Sequence, residues 1–157
     1  MASFADALNR RAEDIRRPPP PPIGHYVMQV AKMPGAAEPM NSARFTGEKL
    51  TVQVTVVSAL DDVDQDELAD FGNVAGFPLR LDFIFNTDPN ETMKFEQTLN
   101  RLKTFCTHCG IDEEGKSLGE MLAELPNAQF VGELKHRTDP NDSESIYPEI
   151  GRTTAFE

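Results

Sequence analysis

Apolar residues recur at every second position over much of this chain, and at every third or fourth over shorter stretches. From Gly24 to Met33, Tyr26, Met28 and Val30 fall on one side of an extended segment and His25, Val27 and Gln29 on the other, which predicts a first strand. Residues 34–43, Pro-Gly-Ala-Ala-Glu-Pro-Met-Asn-Ser-Ala, carry the punctuation of a loop. A second strand is expected from about Arg44 to Ser58, with Leu50, Val52, Val54 and Val56 facing one way and Thr51, Gln53 and Thr55 the other. It is the clearest alternation present. Leu79, Leu81, Phe83 and Phe85, separated by Arg80, Asp82 and Ile84, predict a third. Phe130 to Ile150 reads as two more strands joined through the turn-forming Asp139-Pro-Asn-Asp142.

Helical spacing appears between the third and fourth of these strands. Phe95, Leu99, Leu102, Cys106 and Cys109 are separated by four, three, four and three residues, giving one apolar face. Asp88-Pro-Asn-Glu91 starts that helix with a capping side chain and a proline at the first helical position, and Gly110 ends it. Ser117 with Glu120 caps a shorter helix carrying Leu118, Met121, Leu122 and Leu125, stopped by Pro126. Asp64 with Glu67 begins a short acidic helix bearing Leu68 and Phe71, which reads as an insertion.

At the N-terminus, Ser3 and Asp6 resemble a helix-starting box, and Phe4, Leu8, Ala12 and Ile15 share a side over about four turns. Pro18 to Pro22 ends this helix, because proline lacks the amide donor and disfavours helical geometry at Arg17 before it. Residues 1–22 are therefore expected to form a helix and polyproline arm held off the body, and residues 23–157 a single domain.

The order strand, strand, strand, helices, strand, strand predicts a mainly β fold with added helices. It matches a five-stranded OB-like Greek-key barrel with helices between strands three and four, preceded by the N-terminal helical arm. Another small mixed sheet packed on helices would generate the same string.

Charge and composition narrow the function. With 39% hydrophobic residues, no apolar run approaches the roughly 18 residues of a membrane span, so no membrane association is expected. The first residues form neither a basic leader nor a cleavage pattern, which points to the cytoplasm, with both cysteines reduced. A net charge of −11 argues against coating duplex DNA through a global field. The charge is uneven, however: residues 59–72 hold six carboxylates and no cation, whereas Arg10, Arg11, Arg16 and Arg17 cluster in the arm.

Several motifs resolve into structural roles. Cys106-Thr-His-Cys109 resembles half of a zinc site, but the chain has no second cysteine pair, and both thiols continue an apolar helix face. Asp62, Asp64 and Asp66 resemble the start of a calcium loop, yet Glu67 stands where glycine is required and Asn73 where glutamate is required. No phosphate loop, nucleophile elbow or His-Glu-x-x-His is present, so no enzymatic activity and no cofactor are expected. The arginines of the arm read most simply as the wet face of a short amphipathic helix.

Single-stranded nucleic acid is held by aromatic rings on which bases stack and by nearby cations that follow the phosphates. Tyr26, Phe45 and Tyr147 with Arg44, Lys49, Arg80, Lys135 and Arg137 suit that chemistry if they share the open face of the barrel. The chain also resembles a family of small, acidic bacteriophage replication proteins that bind single-stranded DNA on an OB barrel. The resemblance covers residues 24–150 as a pattern and is carried by Gly24-His-Tyr-Val-Met-Gln-Val30, by the long second strand through Val57, and by Phe130-Val-Gly-Glu-Leu-Lys-His-Arg137 with its Asp-Pro-Asn turn and Ile146-Tyr-Pro-Glu-Ile150. It implies a non-enzymatic role in phage DNA replication or recombination, with single-stranded DNA as partner and replication proteins as further candidates. Members often end in an acidic tail that recruits polymerase; here Phe156 follows no acidic run, which counts against that recruitment. The sequence leaves the oligomeric state open, a homodimer included. The competing expectation is an acidic interaction or virion structural module that binds no nucleic acid.

Overall fold

In the computed structural model, which describes residues 3–15, 17–42 and 45–156, six strands form one antiparallel sheet: β1 (Gly24–Val30), β2 (Glu38–Ser42), β3 (Phe45–Ala59), β4 (Pro78–Asn86), β5 (Gln129–Asp139) and β6 (Asp142–Ala155). The helices are α1 (Phe4–Ala7), α2 (Gln65–Phe71), α3 (Thr92–His108) and α4 (Leu118–Ala123), with single 3-10 turns at Ala12–Asp14 and Pro89–Glu91.

The 15-residue β3 organises the sheet. One of its edges takes β4, from Gly47 opposite Asn86 to Thr55 opposite Pro78. The other edge is divided between β2, which pairs from Ser42–Phe45 to Glu38–Lys49, and β1, which pairs from Val30–Val54 to Tyr26–Ala59. β5 then pairs with β1, and β6 with β5. The path β4-β3-β1-β5-β6 brings its two end strands within 8 Å of each other at Cα positions. Among the described residues no hydrogen-bonded ladder joins them, so the sheet is open where the closed barrel was expected.

Side chains of α3 take the place of that missing ladder. The Thr98 hydroxyl donates to the Ile84 carbonyl at 3.0 Å, and Arg101 Nη2 donates to the Asp82 carbonyl at 3.1 Å, so two outward-facing acceptors of β4 are satisfied. On the opposite side, His108 Nδ1 lies 2.9 Å from the Thr153 hydroxyl of β6. One helix thereby spans both free edges.

The core lies between the concave side of the sheet and α3 and α4. Tyr26, Met28 and Val30 meet Leu50, Val52, Val54 and Val56, with Phe83, Phe130 and Leu134 from the flanking strands. Phe105 of α3 stacks against Phe130 at 5.0 Å and Phe83 at 5.8 Å between ring centroids, locking β4 and β5 to one helix. Cys106 and Cys109 are buried in the same core, as their spacing implied. Gly132 faces Met28 so closely that a Cβ there would lie 2.5 Å from the Met28 sulfur.

Two expectations are corrected. Residues 34–43 contain β2, whose side chains are exposed on both faces apart from the half-buried Met40; with no buried face, its sequence has no alternation to detect. The proline end of the arm is not held off the body. The arm's helix is short, α1 being followed by a separate 3-10 turn, and Pro20, Pro21 and Pro22 are buried. The Tyr26 hydroxyl donates to the Pro22 carbonyl at 2.7 Å, and His136 Nε2 lies 2.7 Å from the Pro21 carbonyl. Proline segments leave their carbonyls unpaired, and two side chains of the body use them as acceptors.

Among the described residues no helix is long and apolar enough to cross a membrane.

Candidate nucleic-acid interface

The unladdered gap between β4 and β6 is closed by α3 at one end and open at the other. The open end is a groove of about 890 Å³. Arg80 comes from β4, Arg137 from β5, Tyr147 from β6, Arg101 from α3 and Arg17 from the arm. Asp82 and Glu149 are the carboxylates on its walls, so four guanidinium groups face two acids in a chain of net charge −11. Val54, Leu79 and Leu81 also border the groove.

Strand alternation explains how the walls are built. Gln53 and Arg80 are register partners, as are Thr51 and Asp82, so these side chains leave β3 and β4 on the face opposite the buried Val52, Val54 and Leu79. The Thr51 hydroxyl donates to Asp82 at 2.7 Å, which holds that carboxylate against β3. Arg137 and Tyr147 are likewise register partners across β5 and β6.

The cations differ in how far they are engaged. Arg137 Nε is 4.0 Å from Glu149, the outer limit of an ion pair, and its guanidinium is 6.0 Å from the Tyr147 ring centre. Arg101 lies 5.0 Å over the Phe83 ring while it holds the Asp82 carbonyl. Arg17 stacks on Tyr147 at 4.2 Å. Arg80 has no carboxylate within 4.0 Å among the described residues and is exposed.

Of the residues the sequence singled out, Arg80, Arg137 and Tyr147 converge in this groove. Lys135 lies beside it: its stem runs over Gly151, a groove residue, and its ammonium is 3.7 Å from Glu133. Phe45 and Lys49 lie toward the other end of β3, where Lys49 is opposite Glu38 and Ile84, and the Phe45 ring covers Gly47. Arg44 falls outside the described residues. Tyr26 is a correction: it is 0% exposed, with its hydroxyl on Pro22, and no base can reach its ring. Burial, with the nearby carboxylates of Asp62 and Glu67, pushes its hydroxyl up to about 12. Alternation placed Tyr26 with Met28 and Val30, and that was the signal for a core position.

Arg17 and Arg101 are the residues that sequence reasoning did not assign to the site. A guanidinium on the polar face of a helix looks the same in sequence whether it faces bulk water or covers a sheet edge. Arg17 carries one available signal, its place immediately before the prolines that dock on the body.

Metal and thiol chemistry have no geometric support among the described residues, where no cluster of three or more His, Cys, Asp or Glu is arranged around a common point. Burial pushes the thiols of Cys106 and Cys109 up to about 11 and about 12, away from the thiolate form that reacts or binds metal. The acidic motif is structural in part. Asp64 accepts from the amides of Asp66 and Glu67 as the cap of α2, and Asp62 clamps His25 through both its amide, at 3.1 Å, and its ring, at 2.6 Å.

No protein-family model matches this chain, and no curated protein matches it either.

Proposed function

We propose that this chain is a non-enzymatic binder of single-stranded DNA that receives the strand in the groove between β4 and β6. One observation carries the reading: four arginines and an aromatic ring, drawn from five separate elements, meet in one groove of a protein whose overall charge is −11. A single strand presents phosphates for guanidinium groups and bases for a ring face, and a groove lined by both suits it. The pairing order supports an OB-type ancestry. Strands 24–30, 45–59, 78–86, 129–139 and 142–155 pair first to second, second to third, first to fourth and fourth to fifth, with α3 between the third and fourth. Together with the sequence pattern this favours a role in phage DNA replication or recombination, in the cytoplasm of the host.

Anisotropy of labelled oligonucleotides across a salt series tests the proposal. If Arg80, Arg101 and Arg137 neutralise phosphates, the logarithm of affinity should fall against the logarithm of salt with a slope of roughly −2. Absence of binding even at low salt would sink the idea.

A second reading, an acidic adaptor for a protein partner, is favoured by α2 and its flanks, where Asp61, Asp66, Glu67 and Asp70 are exposed on an insertion fixed to the body by Asp62 and His25. Retention of a basic partner by the wild type, lost when these four carboxylates are neutralised, would favour it over the nucleic-acid reading.

A further inference from the structure

We propose that the N-terminal arm regulates access to the groove: Arg17 covers the ring of Tyr147 in the free protein, and an entering base displaces it while Pro20–Pro22 stay anchored. This inference rests on the reading of the groove as a single-strand site.

A guanidinium 4.2 Å from the ring centre occupies the face on which a base would stack. The arm is therefore already in the site as an internal occupant of the same chemical class that a strand offers, a flat group against an aromatic ring. Its two attachments are unequal. Pro20–Pro22 are buried, and the carbonyls of Pro21 and Pro22 are held by His136 and Tyr26, whereas Arg17 is exposed and has no carboxylate within 4.0 Å among the described residues. Pro18 and Pro19, both exposed, join the two attachments. Their fixed φ angles make the joint a short stiff lever rather than a slack loop. Residues 3–15 contribute no buried side chain. Base stacking on an aromatic ring is stronger than an exposed contact between a guanidinium and a ring, so a base wins the competition for Tyr147 and the arginine end of the arm lifts.

The test compares wild type with Arg17→Ala on two probes of equal length and charge, an oligothymidylate and an abasic oligonucleotide. Uncovering Tyr147 helps only the probe that carries bases. The ratio of abasic to thymidylate Kd should rise about two- to five-fold in R17A, the equivalent of one exposed cation–ring contact, and the rise should vanish in R17A/Y147A. An equal loss of affinity for both probes, leaving the ratio unchanged, would show Arg17 to be an ordinary phosphate contact and overturn the proposal. Failure of both proteins to bind either probe at low salt would instead overturn the groove reading beneath it. Arg17 is exposed, so the variant removes no core contact.

Discussion

The hydroxyl of Tyr26 donates to the carbonyl of Pro22 at 2.7 Å, tying a fully buried side chain of β1 to the last residue of the proline segment. The same ring that fills the core thus helps to fix the end of the arm whose Arg17 lies over Tyr147. His136 Nε2 at the Pro21 carbonyl makes the second such attachment.

Tyr26→Phe should keep the core volume and leave a buried carbonyl unsatisfied. The expected loss is about 1–3 kcal/mol of unfolding free energy, read from denaturant melts. Because Tyr26 is shielded from solvent, the variant should retain its affinity for single-stranded DNA. A loss of affinity without a loss of stability would contradict its placement in the core.

Arg80→Ala and Arg137→Ala should each lower the steepness of the salt dependence by about 0.7, the share of one phosphate contact on a single strand. Lys49→Ala, on the distant part of β3, should change it less. Parallel anisotropy titrations at several salt concentrations compare the three, and an equal effect of Lys49 would move the site away from the groove.

Alkaline conditions should destabilise the fold in a defined window. Tyr26, Cys106 and Cys109 are held in their neutral forms by burial, with values raised from 10.0 to about 12, from 9.0 to about 11 and from 9.0 to about 12. The unfolded chain releases these protons at the lower values, so it binds fewer protons over this interval and stability falls as pH rises. Full stability is expected below about pH 9, with progressive loss toward pH 12. Denaturant midpoints across that range provide the check, and a thiol reagent should label the folded protein slowly at pH 8. At the acid end, the His25 hydrogen bond holds Asp62 below its ordinary value, so its contribution is present above 3.8 and lost as pH falls further.

Phe105→Ala should be among the most damaging single changes, because the ring contacts Phe83 and Phe130 and holds α3 over the gap in the sheet. A loss of about 3–5 kcal/mol is expected from the cavity, measured by chemical unfolding. A loss below 1 kcal/mol would show that α3 is not the element that spans the two edges.

Much of this architecture was legible in the chain. Strands β1, β3 and β4 follow the alternation of apolar and polar residues, since a sheet buried on one face imposes a period of two, and β5 and β6 flank the turn read at Asp139–Asp142. The caps at Ser3, Asp64 and Ser117 were equally readable, because each side chain bonds an amide two or three residues away, whereas Asp88 caps the 3-10 turn that leads into α3 and not α3 itself. β2 was not readable, being held by backbone bonds to β3 with no buried face. Arg80, Arg137 and Tyr147 were legible as candidates by residue type, while Tyr26 was drawn into the set by its ring although its neighbours placed it inside.

The sequence by itself determined most of the local elements, their order and the burial of both cysteines, since each depends on residue type and spacing over a few turns. Only the tertiary structure decided that the sheet stays open, that α3 spans its edges, that Arg17, Arg80, Arg101 and Arg137 line one groove, and that Arg17 lies over Tyr147. Those relationships join residues up to 130 positions apart, from Arg17 to Tyr147. No periodicity encodes them, because they arise from how the packed elements close around a shared core.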